Sequence, residues 1–301
     1  MMLRLTTLLL ALVPCAAREC DSGDFSKSAS IIPTDCTALD LSESSIDSDG
    51  ATALAEALPK ATQLTTLNLR YNAIGASGAI ALAGALPAAP QLTTLNVRFN
   101  SIGAAGASAL AEALPKATQL AMLDLDGNTI GAAGAAAIAE ALPQAPRLAT
   151  LDLSRNAIGA RGAFALAEAL PEATQLTTLY LWNNSIGDAG ATALAEALPD
   201  TPRLAKLHVG MNSIGDDGAT VLAVALSKAA LLTTLDLEAN VIGDAGAAAL
   251  AEALPKATQL TKLLVEANLI GEAGVTALDS VIVHGSLPTV ERRTQSSEAE
   301  L

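Results

Sequence analysis

The chain has 301 residues, of which 51% are hydrophobic but only 2% aromatic, and a formal net charge of −14. Such acidity excludes nucleic acid as a general partner, since a phosphate binder needs a basic face, and it favours solubility. No apolar run reaches the roughly 18 residues that a spanning helix requires, and two histidines and three cysteines outside any metal-ligand spacing exclude a zinc site.

The first segment reads as an export signal. Arg4 gives the positive start, Leu5 to Val13 the short apolar stretch, and Cys15-Ala16-Ala17 the small residues of a cleavage site. Residues 1–17 are therefore expected to be removed and the mature chain to be secreted. Losing Arg4 takes the net charge from −14 to about −15. Cys20 and Cys36 then remain, an even pair beside an exposed end, which reads as a disulfide in an oxidising compartment. The alternative is two free thiols, with Cys36 filling a core leucine slot. Residues 18–35, with Phe25, Ile31 and Ile32, are expected to form an N-terminal cap.

From residue 36 to 283 one 28-residue pattern is written nine times without a slip. It reads Leu-x-x-Leu-x-Leu-x-x-Asn-x-Ile-Gly-x-x-Gly-Ala-x-Ala-Leu-Ala-Glu-Ala-Leu-Pro and begins at Leu64, Leu92, Leu120, Leu148, Leu176, Leu204, Leu232 and Leu260, with a degenerate copy at Cys36. In the copy from 64 to 91, Leu64, Leu67 and Leu69 alternate as a half-buried strand requires. Asn72 comes next, with an amide that can satisfy buried turn backbone. It recurs at Asn100, Asn128, Asn156, Asn184, Asn212, Asn240 and Asn268, which predicts an internal ladder that only Ser44 departs from. Gly75 and Gly78 supply permissive backbone before a helix. Leu82 and Leu86 share that helix's buried face, the alanines around them let neighbouring helices approach, and Pro87 stops it. One copy cannot bury its apolar face alone, so the copies stack into one continuous core. The copy tails alternate Lys-Ala-Thr-Gln with Ala-Ala-Pro-Gln or a close variant, the mark of growth by duplicated pairs. Beyond 283 the chain turns polar, and residues 284–301 are expected to be a disordered tail.

This repeat resembles the leucine-rich repeats of the ribonuclease-inhibitor type, and is similar to the C-terminal repeats of NOD-like receptors and the body of Ran GTPase-activating proteins. The resemblance implies an α/β right-handed solenoid bent into a horseshoe arc, with a parallel sheet on the concave side and α-helices outside. It implies binding of another macromolecule on the concave face. An intracellular regulatory protein like those relatives is the alternative function, and a structural or ice-interacting solenoid a further one. The recurring Thr-Thr pairs at 65–66, 93–94, 177–178 and 233–234 raise the ice reading, though Met122, Lys206 and Lys262 interrupt the row.

Copy-to-copy variation locates the candidate site. Helix positions scarcely change, whereas the third, fifth, seventh and eighth residues of each copy vary most. Four of the six aromatic residues fall there, and aromatics with Arg are the usual anchors of protein interfaces. One cluster is Arg70, Tyr71, Arg98 and Phe99, a second is Tyr180, Trp182, His208 and Met211, and Arg155 lies between them. The expected partner is a protein or peptide, with no membrane span and a monomer favoured over an oligomer. No enzyme is expected, since neither Gly-x-Ser-x-Gly nor a P-loop occurs, and no cofactor or metal. Asp124 and Asp152, on adjacent strands, are expected to be solvated, as are Glu56, Glu112, Glu140, Glu168, Glu196 and Glu252 on the outer helices. Asn183-Asn184-Ser185 is a glycosylation sequon.

Overall fold

A computed structural model describes residues 18–21, 32–282 and 289–291. Each 28-residue copy contributes one short strand, a loop, a helix and, in most copies, a single 3₁₀ turn. The strands are β1 (Arg18–Cys20), β2 (Cys36–Asp40), β3 (Thr66–Asn68), β4 (Thr94–Asn96), β5 (Met122–Asp124), β6 (Thr150–Asp152), β7 (Thr178–Tyr180), β8 (Lys206–His208), β9 (Thr234–Asp236), β10 (Lys262–Leu264) and β11 (Thr289–Glu291). They form one parallel sheet in chain order, the concave lining of an open arc. From β3 to β10 every residue pairs with the one 28 positions on, as Thr66 with Thr94 and Leu67 with Leu95. The outer layer is α1 (Ser48–Ala57), α2 (Gly75–Ala85), α3 (Gly103–Ala113), α4 (Gly131–Ala141), α5 (Gly159–Ala169), α6 (Gly187–Ala197), α7 (Asp216–Leu226), α8 (Asp244–Ala253) and α9 (Glu272–Ile282). Among the described residues no helix is long and apolar enough to cross a membrane.

The core lies between the layers. Leu64, Leu67, Leu69, Ile74, Leu82 and their equivalents are essentially solvent-free. The asparagine ladder runs through it. Asn156 Nδ2 donates to the carbonyls of Leu125, Leu153 and Ser154 at 2.8–3.1 Å. Its Oδ1 accepts the N–H groups of Asn128 and Ile130. The pattern repeats from Asn72 to Asn268, with one bond of the set missing at Asn100, Asn212 and Asn268, so turn backbone that stacking removes from water keeps its partners.

The two glycines of the loop do different things. Gly75 has φ of +61°, the left-handed conformation expected of it. Gly78 is helical, and its role is packing: a Cβ there would lie 2.7 Å from Ile74 Cγ2 and 2.8 Å from Ala51 Cβ of the preceding helix. In the second half of the array a carboxylate replaces the left-handed turn. Asp188 Oδ1 accepts the N–H groups of Gly215 (2.7 Å) and Gly218 (3.0 Å) in the next copy. Asp216 and Asp244 do the same for the copies after theirs. Gly215 and Gly243 accordingly take an extended φ near −100° as N-caps.

At the N-terminal end β1 pairs with β2 and Cys20 is disulfide-bonded to Cys36. Ile32 is buried there. The expected export signal, Phe25 and Ile31 lie outside the described residues. At the other end, of the stretch 284–301 read as a disordered tail, only Thr289–Glu291 is described, and it departs from that reading, while the rest lies outside the described residues. Thr289–Glu291 adds in parallel to β10, because an open sheet edge offers unpaired N–H and C=O groups to any segment within reach.

Candidate ligand-binding face

The fifth residue of each copy sits at the end of its strand, and where it is Asn or Asp it braces the adjoining loop. Asn68, Asn96, Asp124, Asp152 and Asp236 each accept, through Oδ1, the N–H two residues on, at 2.8–3.2 Å. The eighth residue then turns left-handed, with φ of 52–55° at Tyr71, Phe99, Arg155, Asn183 and Met211. For a bulky side chain this conformation costs about 1–2 kcal/mol. It is held by the loop of the next copy: Tyr71 N–H donates to the Arg98 carbonyl and Arg155 N–H to that of Trp182. The seventh and eighth side chains are thereby set along one edge of the sheet.

On that edge the residues form a continuous row. The Tyr71 and Phe99 rings stack at 4.8 Å, 9° from parallel, with Arg70 5.9 Å from the Tyr71 centroid. Phe99 leans over Gly127, where any Cβ would collide with the ring. Arg98 lies over Phe99 at 5.0 Å. Arg155 lies 5.9 Å from Phe99 and 4.4 Å from Trp182. Trp182 in turn leans over Gly210, where a Cβ would sit 2.7 Å from its Cδ1. Beneath the row is Asp126, its side chain 1% exposed. Its Oδ2 lies 3.0 Å from Arg98 Nε and 2.7 Å from Arg155 Nη1. The Arg155 contact is a hydrogen bond. That of Arg98 is an ion pair without hydrogen-bond geometry, so Arg98 Nε and Asp126 Oδ1 stay buried without a hydrogen-bond partner.

The two expected clusters are thus regrouped. Arg155 ties Trp182 to Arg98 and Phe99. Tyr180 instead stacks on His208 at 4.4 Å, whose Nδ1 lies 3.0 Å from Asp236 Oδ2. Met211 is 44% exposed and joins neither group by a ring contact or hydrogen bond. Asp126, Gly127 and Gly210 complete the row and were not singled out from sequence. Their signal was there: the two glycines are the only ones in the seventh and eighth slots, and Asp126 lies 28 and 29 positions from two arginines.

The expectation that Asp124 is solvated is corrected. Asp124 is 7% exposed, and burial, reinforced by Asp152 and Asp126, pushes its carboxyl up to about 6 against the pull of its bond from Asp126 N–H and of Arg98. Burial and Asp152 also raise Asp126, outweighing the two guanidiniums. The threonine row is likewise not free. Thr65, Thr93, Thr177 and Thr233 each donate their hydroxyl to the carbonyl 28 residues earlier, which leaves one threonine of each pair spent on the sheet. Of the sequon, Asn183 is half-buried and Asn184 fully buried in the ladder. The outer glutamates are exposed. Among the described residues no three His, Cys, Asp or Glu side chains converge as a metal site would need.

A family model described as "Leucine Rich repeat" matches residues 60–83, 89–111, 122–139, 147–167, 173–195, 204–223 and 229–251. No curated protein matches the chain. Among solved structures, that of an internalin C2 from Listeria monocytogenes str. 4b F2365 is similar at 18% identity, covering 89% of this chain and 84% of that one, with a TM-score of 0.44.

Proposed function

This chain belongs to the leucine-rich-repeat family, and we propose that it is a secreted binding protein whose concave edge holds a protein or peptide ligand. The observation that carries the reading is where the aromatic residues are. The buried core contains Leu, Ala, Ile, Val and Cys and, among the described residues, no aromatic side chain. Four of the five described aromatics lie on one face instead, in two stacked groups with arginines and a histidine, and the fifth, Phe164, is exposed on α5. Stability of the fold does not call for them there. Aromatic and arginine anchors are what a macromolecular interface uses.

Export is supported by the apolar N-terminal stretch and by the Cys20–Cys36 bond, since such bonds persist in oxidising compartments. The test is capture of a partner from extracellular fluid, then binding measurements on variants. Trp182→Ala should weaken binding by roughly 2 kcal/mol or more, and Glu168→Ala on the outer helices should leave it unchanged. Partner engagement should also shift the fluorescence of Trp182, the only tryptophan. A partner that binds Trp182→Ala as it binds the wild type would place the site elsewhere.

A further inference from the structure

Arg98 and Arg155 are held as a pincer. Each guanidinium is fixed from below by Asp126 and from the side by a ring, Phe99 for Arg98 and Trp182 for Arg155. A guanidinium has five N–H donors in a rigid fork. Arg155 spends one of them on a hydrogen bond. Arg98 spends none, and neither does Arg70, the next cation along the row. Both pincer side chains keep about a third of their surface exposed, 33% and 35%. Two cations thus share one buried carboxylate oxygen, with their outer donors unspent and their rotamers already restricted. The carboxylates of Asp124, Asp126 and Asp152 lie close enough to act on one another and on Arg98, and Asp40 lies close to Arg70, so the face holds no net positive charge and the case for an anionic ligand rests on the unspent, pre-positioned donors.

We propose that the Arg98–Arg155 pincer receives a carboxylate from an acidic peptide segment of the partner, with apolar neighbours of that carboxylate lying on Tyr71, Phe99 and Trp182. This rests on the binding role above and names the chemistry it selects. Restricting the two arginines in advance lowers the ordering cost of the encounter, and paired guanidinium–carboxylate bonds supply direction. A lysine in the ligand offers no acceptor and would leave the donors unused, and an amide offers one neutral acceptor oxygen where a carboxylate offers two charged ones.

The test uses the full chain and a displayed library of random peptides. Selected sequences should be enriched in Asp and Glu flanked by aromatic or aliphatic residues. Replacing the acid of a selected synthetic peptide by its amide should weaken binding at least about tenfold, read from Trp182 fluorescence. Arg98→Gln and Arg155→Gln should lose that preference, binding the acid and amide peptides alike, whereas Arg147→Gln, away from the face, should keep it. Arg98→Lys and Arg155→Lys keep the charge without the fork and should fall between. If the glutamine variants do not fold, the acid-to-amide comparison on the wild-type chain decides alone. Selection without acidic enrichment, or acid and amide peptides that bind the wild type equally, overturns the pincer while leaving peptide binding on the concave face intact. Failure of the library to yield any binder also overturns it, and the concave face is then judged by Trp182→Ala with the captured partner.

Discussion

Asp124 and Asn96 occupy the same place in successive copies and perform the same task, accepting the N–H two residues on. They differ in charge, and only Asp124 is costly. Its folded carboxyl holds a proton to about pH 6, against an ordinary value of 3.8. Below 3.8 it is protonated in both folded and unfolded chains and carries no penalty. Between 3.8 and about 6 the unfolded chain ionises first, so stability falls as pH rises. Above about 6 the penalty is complete, on the order of 3 kcal/mol. Asp124→Asn should therefore stabilise at mildly alkaline pH by up to that amount and do little in acid. Equal shifts in Tm at both pH values would show that ionisation is not the cause. Asn156→Leu should cost about 3 kcal/mol or more, because it strands several buried backbone groups at once. Asn183→Leu should cost less, about 1 kcal/mol, which is the penalty of a branched apolar side chain in a left-handed turn. Thermal melts of the two compare them directly. The ladder was legible because a small amide recurring at a fixed interval has one obvious use. The left-handed turn at the eighth residue was not, since Tyr71, Phe99 and Arg155 are poor residues for it and only the loop of the next copy holds them there.

At the level of elements, the helix entrances come in two designs. The early copies enter through a left-handed glycine whose N–H donates to a backbone carbonyl, as Gly103 does to Asn128. The late copies enter through a carboxylate lent by the preceding helix. Asp188, Asp216 and Asp244 stand at one repeat position where the earlier copies from 64 to 175 have alanine, so the change was visible in the sequence. Its consequence was not, because a side chain that caps its neighbour's helix leaves no local pattern. Asp216→Ala should destabilise by about 1 kcal/mol, as loss of a helix cap does. Asp217→Ala, in the same first turn but exposed, should have a much smaller effect. Similar losses for the two would reduce the relay to an ordinary interaction with the helix dipole. The 3₁₀ turn has a comparable logic. It comes after every helix from α1 to α8 except α7, where Ser227 stands in place of the proline.

On the scale of the whole molecule, the arc and its register were readable because nine copies state the same pattern and errors in one are outvoted by the rest. The ends were less so, since nothing repeats there. The Cys20–Cys36 bond closes a loop with a sequence separation of 16, for which chain entropy gives about 3 kcal/mol. Replacing both cysteines by serine should loosen β1 and the start of β2 and leave the centre of the array as it was. Hydrogen exchange resolved along the chain can see this. A uniform loss of protection would mean that the array unfolds as one unit. Mass spectrometry of the secreted protein should find Arg18 at the amino terminus, and retention of Met1 would remove the case for export.

The unbroken register has a consequence for how such a face can change. Each copy advances the sheet by one strand spacing, about 4.8 Å, and within the sheet joins its neighbours through backbone bonds that are the same whichever copy stands beside it. Excision of residues 120–147 in frame would bring Asn156 against Asn100 and Leu151 against Leu95, pairings that the fold already makes between other copies. The scaffold would be indifferent to the cut. The binding edge would not: Asp126 would be gone, and Arg155 would stand one step from Phe99 instead of two. Whole-copy loss or gain thus works as a ruler with a fixed graduation, sliding one half of the recognition row against the other while the core beneath keeps the same contacts.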